Sequence, residues 1–199
     1  MDVLKEFEDT SALLSGHFRL SSGLHSDRYL QCALLLQWPD RAERIGRALS
    51  ERMRPYGASV VVAPALGGVV VGHEVARALG LRAVFTEREE GHMQLRRGFS
   101  FSAQEPAVVV EDVFTTGRST RETIEAVTRE GAKVIAAGSI VDRGMPAAAF
   151  SVPYHSLLHL DVPSWPQEHC PLCAEGYPLD SPGSRHPAAG GQGEAGGAA

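Results

Sequence analysis

Between residues 59 and 142 the chain switches repeatedly between two apolar patterns. Short runs of valine and alanine predict strands buried on both faces: "SVVVAPA" (59–65), "LRAVFTE" (81–87), "PAVVVED" (106–112) and "AKVIAAGSIVD" (132–142). Helical segments stand between them, "GGVVVGHEVARALG" closing on Gly80 and residues 118–130 closing on Gly131. An earlier helix is predicted from Pro39 through Ile45, Leu49 and Met53, stopped by Pro55 and Gly57, and "YHSLLHLD" (154–161) reads as a fifth strand. Strands separated by single helices imply βαβ units, hence an α/β fold with a mainly parallel sheet flanked by helices.

The flanks follow other patterns. Residues 1–15 predict an amphipathic helix with Val3, Leu4, Phe7, Leu13 and Leu14 on its apolar side. "GHFRLSSGLHSDRYLQ" (16–31) is punctuated by glycine and reads as short strands or a hairpin. "EREEGHMQLRRGFSFSAQE" (87–105) is charged and glycine-containing, and reads as a loop interrupting a strand-to-strand connection. The last stretch, 181–199, is proline, glycine and alanine with little to bury, which predicts a disordered tail.

Composition narrows the function. A chain of 199 residues suffices for one domain with a full core. Its net charge of −5 supplies no basic field for nucleic acid. No apolar run is long enough to span a membrane, and the acidic start "MDVLKEFEDTSALL" does not read as a secretory signal, so a cytoplasmic location is expected. Three cysteines make no disulfide framework. Cys32 reads as a small buried hydrophobe. Cys170 and Cys173 form one CxxC beside His169 in "HCPLC". A tetrahedral zinc site needs four ligands and the sequence holds no second cysteine pair, so a reduced structural pair is the expectation, ahead of a site shared by two subunits.

One stretch points to chemistry. In "VVVEDVFTTGRST" (108–120) a buried strand runs into two acids and then into a loop of threonine, glycine and serine. Ligands of open parallel sheets bind beyond the carboxyl ends of the strands, which is where Glu111 and Asp112 would project. The loop opens a helix whose unpaired N–H groups and dipole favour a phosphate. Gly117 allows close backbone approach, and Thr115, Thr116, Ser119 and Thr120 offer hydroxyls. Helix capping alone would use one hydroxyl, not four. Acids for vicinal ribose hydroxyls beside a phosphate loop suggest a sugar phosphate.

The same stretch resembles the 5-phosphoribosyl diphosphate (PRPP) motif of the type I phosphoribosyltransferases. Further segments make the chain similar to orotate phosphoribosyltransferases in particular. "HFRLSSGLHSDRYLQ" resembles that family's hood over the base, "APALGGVVVG" its diphosphate loop, and "SIVDRG" the strand end whose arginine meets the orotate carboxylate. The resemblance spans about residues 1–180. It implies a type I phosphoribosyltransferase fold over 1–180, with a hood at about 1–35, a core at about 40–162, a CxxC segment at 163–180 and the tail at 181–199. It also implies transfer of the phosphoribosyl group of PRPP to orotate, giving orotidine 5′-monophosphate and diphosphate for pyrimidine biosynthesis.

By that resemblance Glu111, Asp112 and Arg88 carry catalysis. PRPP would meet Glu111, Asp112, Val113, Phe114, Thr115, Thr116, Gly117, Arg118 and Ser119, together with Gly67 of the diphosphate loop. Arg88, His92, Arg96 and Arg97 would form a mobile cationic lid. Thr115 and Arg143 would bind orotate, the guanidinium pairing with its carboxylate in bidentate fashion. Mg²⁺ would ride on the diphosphate, with no dedicated protein ligands. The chain would be a homodimer whose lid closes the neighbouring site. Many bacterial members carry lysines where this chain has Ser21 and Gly67, so its diphosphate charge must be met elsewhere. A purine phosphoribosyltransferase would share the PRPP loop but not need Arg143. A non-catalytic PRPP or nucleotide sensor of the same fold usually adds a basic DNA-binding segment, for which this acidic chain offers no candidate.

Overall fold

The computed structural model describes residues 1–20, 22–146 and 148–182. In chain order the elements are α1 (Val3–Asp9), β1 (Leu13–Arg19), β2 (His25–Leu30), α2 (Cys32–Leu36), α3 (Pro39–Met53), β3 (Val60–Pro64), α4 (Gly67–Leu79), β4 (Arg82–Glu89), β5 (His92–Leu95), β6 (Glu105–Phe114), α5 (Arg118–Arg129), β7 (Ala132–Asp142), β8 (Tyr154–His159) and α6 (Pro171–Ala174). No helix among the described residues is long and apolar enough to cross a membrane. The expected tail falls almost wholly outside the described residues.

The chain forms two compact units, one of Met1–Leu14 with Leu30–Val162 and a smaller one of 15–29 with 163–182. In the larger unit six strands pair in the order β5-β4-β3-β6-β7-β8. All neighbours are parallel except β4 and β5. The valine runs work as two-faced strands. Val61, Val108 and Val110 pack with Ile45, Leu49 and Met53 of α3 and with Val71 and Val75 of α4. Val60, Val62 and Val109 turn to the opposite face, with Val127 of α5. The period-2 geometry of a strand thus buries an unbroken apolar run between two helical layers.

Two expectations are corrected and one element is added. The first helix stops at Asp9 rather than near residue 15, and Leu13 already belongs to β1. The Thr10 hydroxyl donates to the carbonyl of Glu6 at 2.8 Å, and Ser11 takes a left-handed φ of 53°, which a continuing helix does not allow. Residues 87–105 are not simply a loop. Glu87 to Glu89 complete β4, and β5 folds back on them with Glu89 opposite His92. The two residues between, Glu90 and Gly91, have φ of 49° and 86°, the double positive-φ turn that a two-residue hairpin uses. Met93 is buried on this hairpin, so alternation of one apolar residue among polar ones carries the strand. Finally, α2 supplies a short helix that the pattern did not announce, with Cys32 buried as expected.

Candidate active site

The order β4-β3-β6-β7-β8 places a switch point between β3 and β6, because the chain leaves β3 toward β4 and resumes at β6 on its other side. Crevices at such points, beyond the carboxyl ends of the strands, take ligands. The turn Ala65–Gly68 leaves β3 there; β6 runs on to Phe114 rather than ending at the acids, so Glu111 and Asp112 lie within its carboxyl end and Thr115 to Gly117 leave it. Gly67 brings the two together: a Cβ on it would stand 2.4 Å from Oδ2 of Asp112. The Asp112 carboxylate thus lies where a side chain at 67 would begin, and with glycine there it keeps that position. At Gly68 a Cβ would lie 3.1 Å from Oε1 of Glu111. Both acids therefore face the N-terminal turn of α4.

Glu111 is buried and Asp112 half-buried. Glu111 Oε1 accepts from the Asp112 N–H at 3.2 Å, and Asp112 Oδ1 accepts from the Val113 N–H at 2.8 Å. Burial first, then the charge of Asp112, pushes the Glu111 carboxyl well above the usual carboxylate range. Burial also raises Asp112, against the hydrogen bond from Glu111 and the backbone, so Glu111 holds a proton more readily than its neighbour.

Gly117 caps α5 with φ of 69°, and a Cβ there would meet Met145 Cε at 2.5 Å. Both the backbone angle and the space demand glycine. No side chain caps this helix, whose first N–H groups stay open to an anion apart from a 3.4 Å contact of Arg118 N with the Thr116 hydroxyl. Thr115, Thr116 and Arg118 are exposed and Ser119 half-exposed. Thr120 is only 1% exposed, which removes it from the expected set of ligand hydroxyls. Phe114 is fully buried, packed edge-on against Phe150 at 5.1 Å and Tyr154 at 5.7 Å between ring centres, so it presents no side-chain atom to a ligand. Val113 is half-buried against the core, with its N–H already used.

Arg143 follows β7, whose end lies beside the end of β6 with Phe114 opposite Asp142. Its N–H donates to the Phe114 carbonyl at 3.0 Å, which anchors the residue next to the loop that leaves β6. Asp142 is occupied elsewhere: Oδ1 accepts from the N–H groups of Gly144 and Met145 at 3.0 and 2.8 Å, and His159 stands 3.5 Å from Oδ2.

The four expected lid residues sit on or beside the β4–β5 hairpin, and its arginines are engaged by acids of the same chain. Arg88 bonds Glu122 of α5, Arg96 pairs with Glu89 at 3.1 Å and Arg97 with Glu87 at 2.7 Å. Glu122 also accepts from Arg118 at 2.7 Å, linking the hairpin to the first turn of α5. His92 is exposed at the start of β5.

In the smaller unit the structure assembles a cluster that the sequence did not disclose. His17 and His25 converge on Cys170 and Cys173, all four ligand atoms lying within 4.8 Å of one another. His169, the histidine adjacent in sequence, is exposed and takes no part. The available signal was a pair of histidines across a predicted hairpin, about 150 residues from the CxxC.

Comparison with known proteins agrees with this geometry. Residues 33–169 match the family described as Phosphoribosyl transferase domain. An orotate phosphoribosyltransferase of Pelotomaculum thermopropionicum is 52% identical over 184 residues, 92% of this chain and 97% of that protein. Among solved structures, the orotate phosphoribosyltransferase of Aeropyrum pernix superposes with a TM-score of 0.68 at 28% identity, over 79% of this chain and 93% of that one. The Mycobacterium tuberculosis orotate phosphoribosyltransferase in complex with PRPP gives a TM-score of 0.63 at 26% identity, over 80% and 97%. With a doubly wound sheet, a paired-acid strand end at its switch point and relatives alike over nearly their whole length, the chain belongs to the orotate phosphoribosyltransferase family, with the type I phosphoribosyltransferase fold.

Proposed function

We propose that this chain transfers the 5-phosphoribosyl group from PRPP to orotate, releasing diphosphate and forming orotidine 5′-monophosphate. The observation that carries the reading is that Glu111 and Asp112 face Gly67 and Gly68 at the start of α4, with the uncapped helix start at Gly117 a few residues further along the same strand end. The 5-phosphate binds the open N–H groups of Ser119 and its neighbours, with Thr115 and Thr116 adding hydroxyls. Asp112 and Glu111 accept hydrogen bonds from the ribose hydroxyls. The diphosphate lies toward Gly67 and its helix N-terminus, and Arg88, Arg96, Arg97 and His92 approach it by exchanging their carboxylate partners for phosphate oxygens. Arg143 and Thr115 hold orotate beside the ribose. As the C1–diphosphate bond breaks, the ribosyl cation is stabilised by the Asp112 carboxylate, and closure of the hairpin excludes water.

Glu111 and Asp112 offer only carboxylate oxygens, the hard donors Mg²⁺ accepts, and their burial makes a nearby cation favourable. The pair fits a magnesium ion carried by PRPP, and Asp112 and Glu111 would be the residues beside it. When bound, the ion neutralises charge on the departing diphosphate. The reading includes a cytoplasmic homodimer in which the hairpin serves the partner's site.

The test is orotate consumption, followed in the ultraviolet, on adding PRPP and Mg²⁺. Arg143→Ala should lower kcat/KM for orotate by about two to four orders of magnitude and leave PRPP affinity nearly unchanged. Equal loss of both affinities, or equal use of hypoxanthine by the parent protein, would overturn the assignment.

A further inference from the structure

The smaller unit has a stability problem that its apolar residues do not solve. Its described part is two segments, 15–29 and 163–182, and neither hydrophobic core cluster includes a residue from them. Its buried side chains are Phe18, His17, His25, Ser26 and Cys170. Units below about 40 residues usually need a disulfide or a metal to stay folded. Here the cysteines are free thiols, and three of the five buried residues belong to one cluster of nitrogen and sulfur atoms.

We propose that His17, His25, Cys170 and Cys173 are the four ligands of a structural zinc ion that staples the β1–β2 hairpin to the C-terminal segment. A tetrahedral zinc with Zn–S of about 2.3 Å and Zn–N of about 2.0 Å separates sulfur from nitrogen by about 3.5 Å. Cys170 Sγ lies 3.5 Å from His17 Nε2, and Cys173 Sγ lies 3.6 Å from the same atom and 3.2 Å from His25 Nδ1. The two nitrogens are 2.9 Å apart, against about 3.3 Å in such a tetrahedron, so a small outward shift seats the ion.

The surroundings match a ligand site. His17 Nδ1 stands 2.9 Å from the carbonyl of Tyr177, which accepts its N–H hydrogen bond and so leaves the Nε2 lone pair turned into the cluster. Two thiolates balance the charge of a divalent ion, so the filled site is neutral overall. The nitrogen–sulfur donor set selects zinc over magnesium. Four side chains close the coordination shell and leave no position for substrate, which marks the site as structural. Backbone pairing brings the ligands into register: His25 and Trp165 exchange N–H···O bonds of 2.8 Å, and Asp180 N donates to the His17 carbonyl at 2.8 Å.

The proposal stands apart from the catalytic reading and is tested without activity. Full-length protein purified without chelator should contain about one equivalent of zinc per chain by plasma mass spectrometry. Stripping the ion with a strong chelator should lower Tm, and adding zinc back should restore it. Cobalt added to the stripped protein should give thiolate charge-transfer bands and the intense visible bands of a tetrahedral site. Cys173→Ser and His25→Ala should each weaken cobalt binding by at least about tenfold. If the variants fail to fold, the stripped wild-type protein alone decides. A stripped protein that neither gains Tm with zinc nor shows the thiolate band overturns the proposal, as does undiminished zinc in Cys173→Ser.

Discussion

Glu111 lies near the carboxyl end of a buried strand with its carboxyl enclosed, while Asp112 beside it remains half-open. Their raised pKa values mean that the folded chain binds more protons than the unfolded one, from the ordinary carboxyl range up to the raised values. Stability from these groups is therefore present at low pH and falls as pH rises through that window. Other acids have the opposite sign. Against the opposing effect of burial, hydrogen bonds from Arg82 and Arg88 hold Glu105 and Glu122 below the usual range, and their contribution is lost as pH falls. The difference between Glu111→Gln and wild type isolates the buried pair. Without PRPP or Mg²⁺, the variant should melt about 2–4 °C higher at neutral pH, or ~1 kcal/mol, and the gap should close toward pH 4. Identical melting curves against pH would remove the buried charge from Glu111.

At the scale of elements, the β4–β5 hairpin is an edge unit held by arginine–carboxylate pairs. Exposed pairs of this kind contribute little individually, so phosphate oxygens can replace the carboxylates at modest cost. Arg88 is the best anchored, since Glu122 also binds Arg118 at the phosphate-loop helix. Occupation of that helix start should thus be felt at the hairpin. Amide exchange across residues 87–98 should slow by about tenfold on adding PRPP with Mg²⁺. Equal exchange with and without PRPP would leave the hairpin a passive sheet edge.

At the scale of the whole molecule, the proposed lid has work to do only if it reaches a site, and in this family reading that site is on a second copy. The working enzyme should then sediment as a dimer across the concentrations at which it turns over. Mixing an Arg143→Ala chain with a chain lacking Arg88 should restore part of the activity, because one of the two mixed sites draws both residues intact. A fully active monomer, or no recovery in the mixed dimer, would return the hairpin to its own chain's site.

What the sequence determined by itself were features written locally. Valine runs can be buried on both faces only as strands between helices, so the βαβ alternation was legible from residue 59 to 142. Paired acids running into a threonine–glycine loop marked the carboxyl end of β6 and the start of α5, because helix starts and strand ends have fixed chemistry. The tertiary structure alone decided which of those residues face outward: Phe114 and Thr120 lie inside a motif of candidate contacts, yet packing buries both. It also decided the partners of the arginines at 88, 96 and 97, since ion pairing depends on how a hairpin folds back and where α5 passes. Most of all it decided the zinc ligands. His17 and Cys173 lie 156 residues apart, and no local period links two positions that only the closing of the chain brings within 3.6 Å.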